Sequence, residues 1–104
     1  MINVPDQFFN NGDYVLRVDG DSMVDAYIAD GDVVLMEPVK EPLSIRNGTV
    51  VSAFVPGSGT TLKYFFRKGS LVRLEAANDA YDPIEIDAQL VEIQGKLLGV
   101  WRKT

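Results

Sequence analysis

Thr49-Val50-Val51-Ser52-Ala53-Phe54-Val55, then Pro56-Gly57-Ser58-Gly59, then Thr60-Thr61-Leu62-Lys63-Tyr64-Phe65-Phe66 is the passage whose reading decides the fold class. Two runs of β-branched and aromatic residues flank a cluster of Pro, Gly and Ser. Side chains of the first kind suit a pleated, half-buried surface. Residues of the second kind turn the chain. The passage therefore predicts two strands joined by a hairpin turn.

The same alternation extends in both directions. Toward the C-terminus, Arg67-Lys68-Gly69-Ser70 separates a strand at residues 71–75 from the one before it. A brief strand at 84–86 follows, then a long one at 90–101 with Gly95 and Gly99 as bends or bulges. Toward the N-terminus, residues 32–36 read as a buried strand closed by Glu37-Pro38. Residues 14–19 alternate, with Tyr14, Leu16 and Val18 on one face and Arg17 and Asp19 on the other. No segment sustains a helical period. Residues 22–28 fit one short helical turn, capped by Asp21 or Ser22. Residues 40–44 are the one linker candidate and read better as a crossing between strands. The expected architecture is all-β: one domain over residues 1–104, with strands curling into a partial barrel or two-sheet core.

Composition narrows the chemistry. The 104 residues hold 15 acidic and 10 basic side chains, a net charge of −5. That argues against this domain gripping nucleic acid, which needs clustered Lys and Arg. The tightest basic group, Lys63, Arg67, Lys68 and Arg73, is interleaved with apolar residues and reads as strand edges and a turn. Histidine and cysteine are both absent. Every His-based triad, every Cys nucleophile and the usual zinc sites are therefore excluded, and no cofactor is expected. No apolar run nears the roughly 20 residues that span a bilayer, and residues 1–10 lack a signal-peptide pattern. With no cysteines to suggest an oxidising compartment, a cytoplasmic location is expected.

What chemistry remains rests on Ser, Thr, Lys, Tyr, Asp and Glu. In Gly20-Asp21-Ser22-Met23 a strand ends, a glycine permits a sharp turn, and a serine stands just beyond it. Such a serine is placed either to attack a substrate or to cap a helix. The lipase-type elbow fails, because Val24 stands where its second glycine belongs. Lys63 lies among Leu62, Tyr64, Phe65 and Phe66. Pointing outward it is a solvated strand lysine. Pointing inward it loses hydration, and burial can lower a lysine pKa by about 3–5 units. A neutral lysine can take the proton of a nearby serine, a dyad that needs no histidine. The acidic group Asp19, Asp21, Asp25, Asp30 and Asp32 reads as a solvated loop or a weak divalent-cation site, and Met23 and Val24 break the EF-hand pattern. Gly57-Ser58-Gly59 and Lys68-Gly69-Ser70 lack phosphate-loop spacing and read as turns.

In order and spacing these segments resemble a family. Leu16-Arg17-Val18-Asp19-Gly20-Asp21-Ser22-Met23 is similar to the nucleophile segment of LexA-type repressors and UmuD-type mutagenesis proteins. Asp30-Gly31-Asp32, Arg46-Asn47-Gly48 with Val50-Val51, Thr61-Leu62-Lys63 and Leu98-Gly99-Val100-Trp101-Arg102 follow in the family's order, the last resembling cyanobacterial members. The resemblance covers nearly the whole chain. It implies a LexA/signal-peptidase-like β domain that cuts its own polypeptide. Ser22 is then the nucleophile, Lys63 its base, and the backbone N–H groups of Asp21 and Ser22 the oxyanion donors. Met23 and Thr61 support them, Thr61 by orienting Lys63. The resemblance further implies a cleavage loop, usually cut at Ala-Gly, and a DNA-binding half, both N-terminal to these residues. No Ala-Gly pair occurs in the chain. A RecA–DNA filament is implied as the stimulus of cleavage, and a homodimer as the assembly. The run bounded by Ile93 and Trp101 either offers a dimer edge or closes its own sheet. Two alternatives stay open: a self-processing polymerase subunit of the UmuD type, and a non-catalytic β-barrel interaction module.

Overall fold

A computed structural model of the chain describes residue 10 and residues 12–102. The N-terminal stretch read against a signal peptide lies, but for its last residue, outside the described residues. Among the described residues seven strands form one antiparallel sheet: β1 (Tyr14–Arg17), β2 (Val33–Pro38), β3 (Thr49–Val55), β4 (Gly59–Lys68), β5 (Leu71–Glu75), β6 (Ile84–Asp87) and β7 (Glu92–Trp101). The spatial order is β1-β2-β7-β3-β4-β5-β6, so the sheet is open, with β1 and β6 at its edges. The only helical pieces among the described residues are two short 3₁₀ turns, Val24–Ala26 and Pro42–Ser44. The second lies in the crossing from β2 to β3.

The decisive passage forms the β3–β4 hairpin, registered from Val55↔Gly59 to Thr49↔Phe65. Gly57 and Gly59 take φ of 84° and 82°, conformations that favour glycine. Side chains alternate across a strand, and neighbours in β3 and β4 feed two different cores. Val51, Ala53, Val55 and Phe65 pack with Val72, Leu74 and Ile93. Val50, Leu62 and Tyr64 pack against Met23, Ile28, Val34 and Met36. The two clusters thus cover opposite faces of one sheet.

Strand ends differ from the sequence reading in particular places. β2 does not close at Glu37-Pro38. It runs through both, because Glu37 pairs with Lys96 and Pro38 with Gly95. Gly95 is required there, since a Cβ would run into the Tyr14 hydroxyl, which hydrogen-bonds Ser52 Oγ at 2.7 Å. Register shifts fall between Leu35 and Met36 and between Ser52 and Ala53. The extra residues opposite them are Leu98 and Gln94, each next to one of the two glycines read as bends.

β7 is an interior strand of its own sheet. It lies between β2 and β3 and pairs with both. Its pairing is nevertheless uneven: Glu92 to Lys96 face β3, whereas from Leu97 onward the described partners belong to β2 alone.

Candidate active site

The site is built from the loop between β1 and β2. Main-chain hydrogen bonds close the loop at its base, Val18 N–H to the Asp32 carbonyl and Gly31 N–H to the Val18 carbonyl, each 2.8 Å. Gly20, with φ of 89°, turns the chain out of β1, and its N–H donates to Asp30 Oδ1 at 2.8 Å. Met23 then pins the loop down. Its side chain is buried among Ile28, Val34 and Met36, and its carbonyl accepts from Ala26 and Ile28. Ser22 stands immediately before this anchor, half-buried.

The helical turn after Ser22 is shorter than the sequence suggests and is capped differently. It covers Val24–Ala26, its N-cap is Met23, and no side chain caps it. Neither Asp21 nor Ser22 serves as cap. The Ser22 hydroxyl is turned instead toward β4, where Lys63 Nζ lies 3.0 Å away. Two residues 41 positions apart in sequence are thereby in hydrogen-bond contact.

Lys63 points inward by strand parity. Lys63 and Phe65, two positions apart in β4, are both buried, and Lys63 is only 7% exposed. Its amine also donates to Thr61 Oγ1 at 2.6 Å and to the Leu62 carbonyl at 3.2 Å. All of these acceptors are neutral, and among the described residues no carboxylate forms an ion pair with Lys63. Loss of water with no counter-charge pushes its pKa below the ordinary lysine value. Such an amine can lose its proton and then accept one from Ser22.

The surroundings offer a strand edge beside Lys63. β5 begins to pair with β4 only at Tyr64, so among the described residues the stretch from Gly59 to Lys63 is paired on its β3 side alone. A strand edge of that kind can accept another strand. A groove of about 600 Å³ lies elsewhere, lined by Glu37, Val39, Glu41, Ile45 and Lys96 among others, and includes neither Ser22 nor Lys63. The Ser22 N–H donates to no backbone carbonyl among the described residues and can serve an incoming oxygen.

The acidic group is only partly the solvated loop it resembles. Asp19, Asp21, Asp25 and Asp30 are exposed, but Asp32 is 2% exposed. Its carboxylate accepts from the Arg102 guanidinium at 2.9 and 2.8 Å and from Ala29 N–H at 2.8 Å. The Arg102 hydrogen bond, with help from Ala29, holds the Asp32 pKa below its ordinary value, against the pull of burial. Arg102 also donates to the Tyr27 carbonyl at 3.1 Å and so ties the end of β7 to the Ser22 loop. No group of three or more acidic residues among the described ones could hold a metal ion.

The β5–β6 loop is the part of the site that sequence reading missed. Asn78 Nδ2 donates to the Asp21 carbonyl at 2.9 Å, the Tyr81 hydroxyl donates to Asp21 Oδ1 at 2.5 Å, and Asp25 N–H donates to the Ala77 carbonyl at 2.8 Å. The local signal was the turn-rich run Asn78-Asp79-Ala80-Tyr81-Asp82-Pro83, which says that the chain turns but not what it faces.

With this geometry in view, the similarities to known proteins fall into place. The family described as Peptidase S24-like matches residues 1–98. A LexA repressor of Zymomonas mobilis is 45% identical over 101 residues, 96% of this chain and 45% of the relative. One of Koribacter versatilis is 44% identical over 90 residues, 86% of this chain and 41% of the relative. One of Thermotoga neapolitana is 41% identical over 104 residues, 98% of this chain and 51% of the relative. The chain spans about half the length of these curated relatives. No helix among the described residues is long and apolar enough to cross a membrane. An all-β chain matched almost end to end by one family's pattern is a member of that family: it belongs to the Peptidase S24-like proteins.

Proposed function

We propose that residues 1–104 are the self-cleaving and dimerising domain of a repressor, a serine endopeptidase that cuts its own polypeptide with Ser22 and Lys63. The observation that carries this reading is the 3.0 Å contact between Ser22 Oγ and a buried Lys63 amine that has no carboxylate partner among the described residues. The family match and the repressor relatives support it.

The steps follow from the atoms present. Neutral Lys63 takes the hydroxyl proton of Ser22 as the Oγ–C bond to the scissile carbonyl forms. The carbonyl electrons move onto its oxygen, which receives the N–H of Ser22 and of Asp21. Such donors are worth about 3–4 kcal/mol each in other enzymes. Collapse breaks the C–N bond, and the Lys63 ammonium gives its proton to the departing amine. Water, deprotonated by Lys63 in turn, then releases the acyl group from Ser22. Thr61 and the Leu62 carbonyl orient the Lys63 amine, and the buried Met23 holds Ser22 at its post. The scissile bond belongs to a segment N-terminal to this domain. It docks as an extended strand along the edge from Gly59 to Lys63, and docking within one molecule supplies high effective concentration.

The remaining assignments go with the repressor reading. Repression of DNA-damage genes is relieved when an activated RecA filament favours the docked loop, and DNA is contacted by a separate N-terminal half. The protein works in the cytoplasm. Two copies pair through the part of β7 beyond Lys96, where Leu98 and Val100 are exposed and two identical edges can meet about a twofold axis.

Incubating the full-length protein across neutral to alkaline pH tests the core of this. Two fragments are expected, at a rate that climbs with pH, and none from Ser22→Ala. An intact wild-type protein after prolonged alkaline incubation, or cutting by Ser22→Ala, overturns it.

A further inference from the structure

The contacts from the β5–β6 loop converge on one peptide group, the one joining Asp21 to Ser22. Its carbonyl accepts from Asn78 Nδ2 at 2.9 Å and from Val24 N–H at 3.2 Å. There is no cis peptide bond among the described residues. In a trans peptide the N–H points opposite to the C=O. Whatever fixes the Asp21 carbonyl therefore also aims the Ser22 N–H. That N–H is the oxyanion donor under the proposed function, on which this inference rests.

The loop is built for such a task. Asn78 Oδ1 accepts from Ala80 N–H at 2.9 Å, and Tyr81 N–H donates to the Asn78 carbonyl at 3.1 Å. The Asn78 side chain is thus oriented by its own turn, with Nδ2 left to reach Asp21. The same turn brings the Tyr81 hydroxyl to Asp21 Oδ1 at 2.5 Å. Ala77, next to Asn78, packs in the cluster that buries Met23, and its carbonyl accepts from Asp25 N–H. The nucleophile is therefore held on both sides: by Asn78 and Tyr81 at Asp21, and by Ala77 at Asp25. Among the described residues none of these loop groups hydrogen-bonds Ser22 Oγ or Lys63 Nζ, so their action on the chemistry runs through the backbone.

We infer that Asn78, seconded by Tyr81, is a positioning residue of the cleavage reaction: it sets the direction of the Ser22 N–H and so readies the oxyanion site before substrate arrives. A donor placed in advance costs no reorganisation at the moment of reaction. The hydrogen bond to Asp21 also raises the Tyr81 pKa. Burial shifts Lys63 the opposite way, so the contact with Asp21 favours the protonated phenol while the site favours the neutral amine.

The test is self-cleavage of the full-length protein as a function of pH, comparing wild type with Asn78→Asp and Tyr81→Phe. Asn78→Asp keeps the shape but turns a carboxylate toward the Asp21 carbonyl. A misaimed group costs on the order of 100-fold, so the alkaline plateau of Asn78→Asp is expected to fall about that far. The midpoint of its pH profile should stay that of wild type, because Lys63 is untouched. Tyr81→Phe, the milder change and the control should Asn78→Asp fail to fold, is expected to lower the plateau less, again at constant midpoint. Wild-type plateau in both variants overturns the inference and leaves the proposed function standing. A plateau loss with a displaced midpoint also overturns it, since the loop would then be shaping the surroundings of Lys63. A wild-type protein that never cuts removes the proposed function, and this inference with it.

Discussion

Asp32 at the mouth of β2 and Lys63 in the middle of β4 are both charged residues taken out of water, and they are treated in opposite ways. Asp32 has a guanidinium at 2.8 Å and a backbone N–H at 2.8 Å, all addressed to its anionic form. Lys63 has a serine hydroxyl, a threonine hydroxyl and a carbonyl, and no carboxylate in the described ion pairs. Burial works against charge in both cases. At Asp32 the partners win, and the pKa moves down, toward the charged form. At Lys63 desolvation wins, and the pKa again moves down, now toward the neutral form. One site fastens the loop, and the other keeps an amine ready to surrender its proton. Asp32 is a buried carboxylate compensated by a half-exposed guanidinium, whereas Lys63 is a buried amine without a counter-charge, the kind of perturbed group found at functional sites.

Lys63→Met breaks the comparison most severely. Under the proposed mechanism, self-cleavage should fall by as much as about 10⁴-fold. The urea midpoint should nevertheless rise at unchanged slope, because an apolar chain of similar length replaces a desolvated amine. A variant that is inactive and also less stable would mean that the Lys63 hydrogen bonds hold the fold, and the contrast with Asp32 would dissolve.

pH sharpens the contrast without any mutation. Cleavage should climb about tenfold per pH unit until it bends flat near the lowered pKa of Lys63. Stability follows the same group. Below the folded pKa of Lys63 both states carry the proton and the full burial cost is present. As pH rises from there toward the ordinary value of 10.5, the unfolded chain binds more protons than the folded one and stability increases. Asp32 acts at the other end. Its contribution is whole above 3.8 and is lost as pH falls through its lower folded value. Denaturant titrations at several pH values resolve both limbs. A cleavage rate flat from roughly pH 6 to 10 would show that Lys63 is not the group being titrated.

How much of this was legible depended on whether the deciding partner was near in sequence. The hairpin over β3 and β4 could be read because both its strands and its turn are written in neighbouring residues. The inward facing of Lys63 could be weighed because Leu62, Tyr64, Phe65 and Phe66 stand beside it. The extension of β2 through Pro38 could not, since it depends on Gly95 admitting the Tyr14 ring. The cap was misjudged for a related reason: a serine before a helical turn ordinarily bonds backbone N–H groups, and here Lys63 takes its hydroxyl. Asp32 read as one more solvated acid because its partner lies 70 positions away. Asn78 carried only a turn signal, and the carbonyl it holds is 57 positions distant. The family's segment order supplied part of this long-range information, which local propensity does not contain.

The smallest expected effect comes from the far end of the Asp32 contact. Arg102 is more than half exposed, so its pairing is partly screened, and removing it should cost far less than losing Lys63 costs cleavage. Arg102→Gln keeps a donor of shorter reach and removes the charge. At neutral pH it should lower the thermal midpoint modestly, because the buried Asp32 anion is left with Ala29 N–H. At a pH below the folded pKa of Asp32 the carboxyl is protonated in both proteins, and the difference should close. Arg102→Lys should recover part of the loss, keeping the charge but not the two-pronged contact. Cleavage should slow a little in both variants, since Arg102 also holds the Tyr27 carbonyl of the Ser22 loop. A stability difference as large in acid as at neutrality would show that Arg102 acts through packing, and the pairing of Asp32 would no longer be what sets it apart from Lys63.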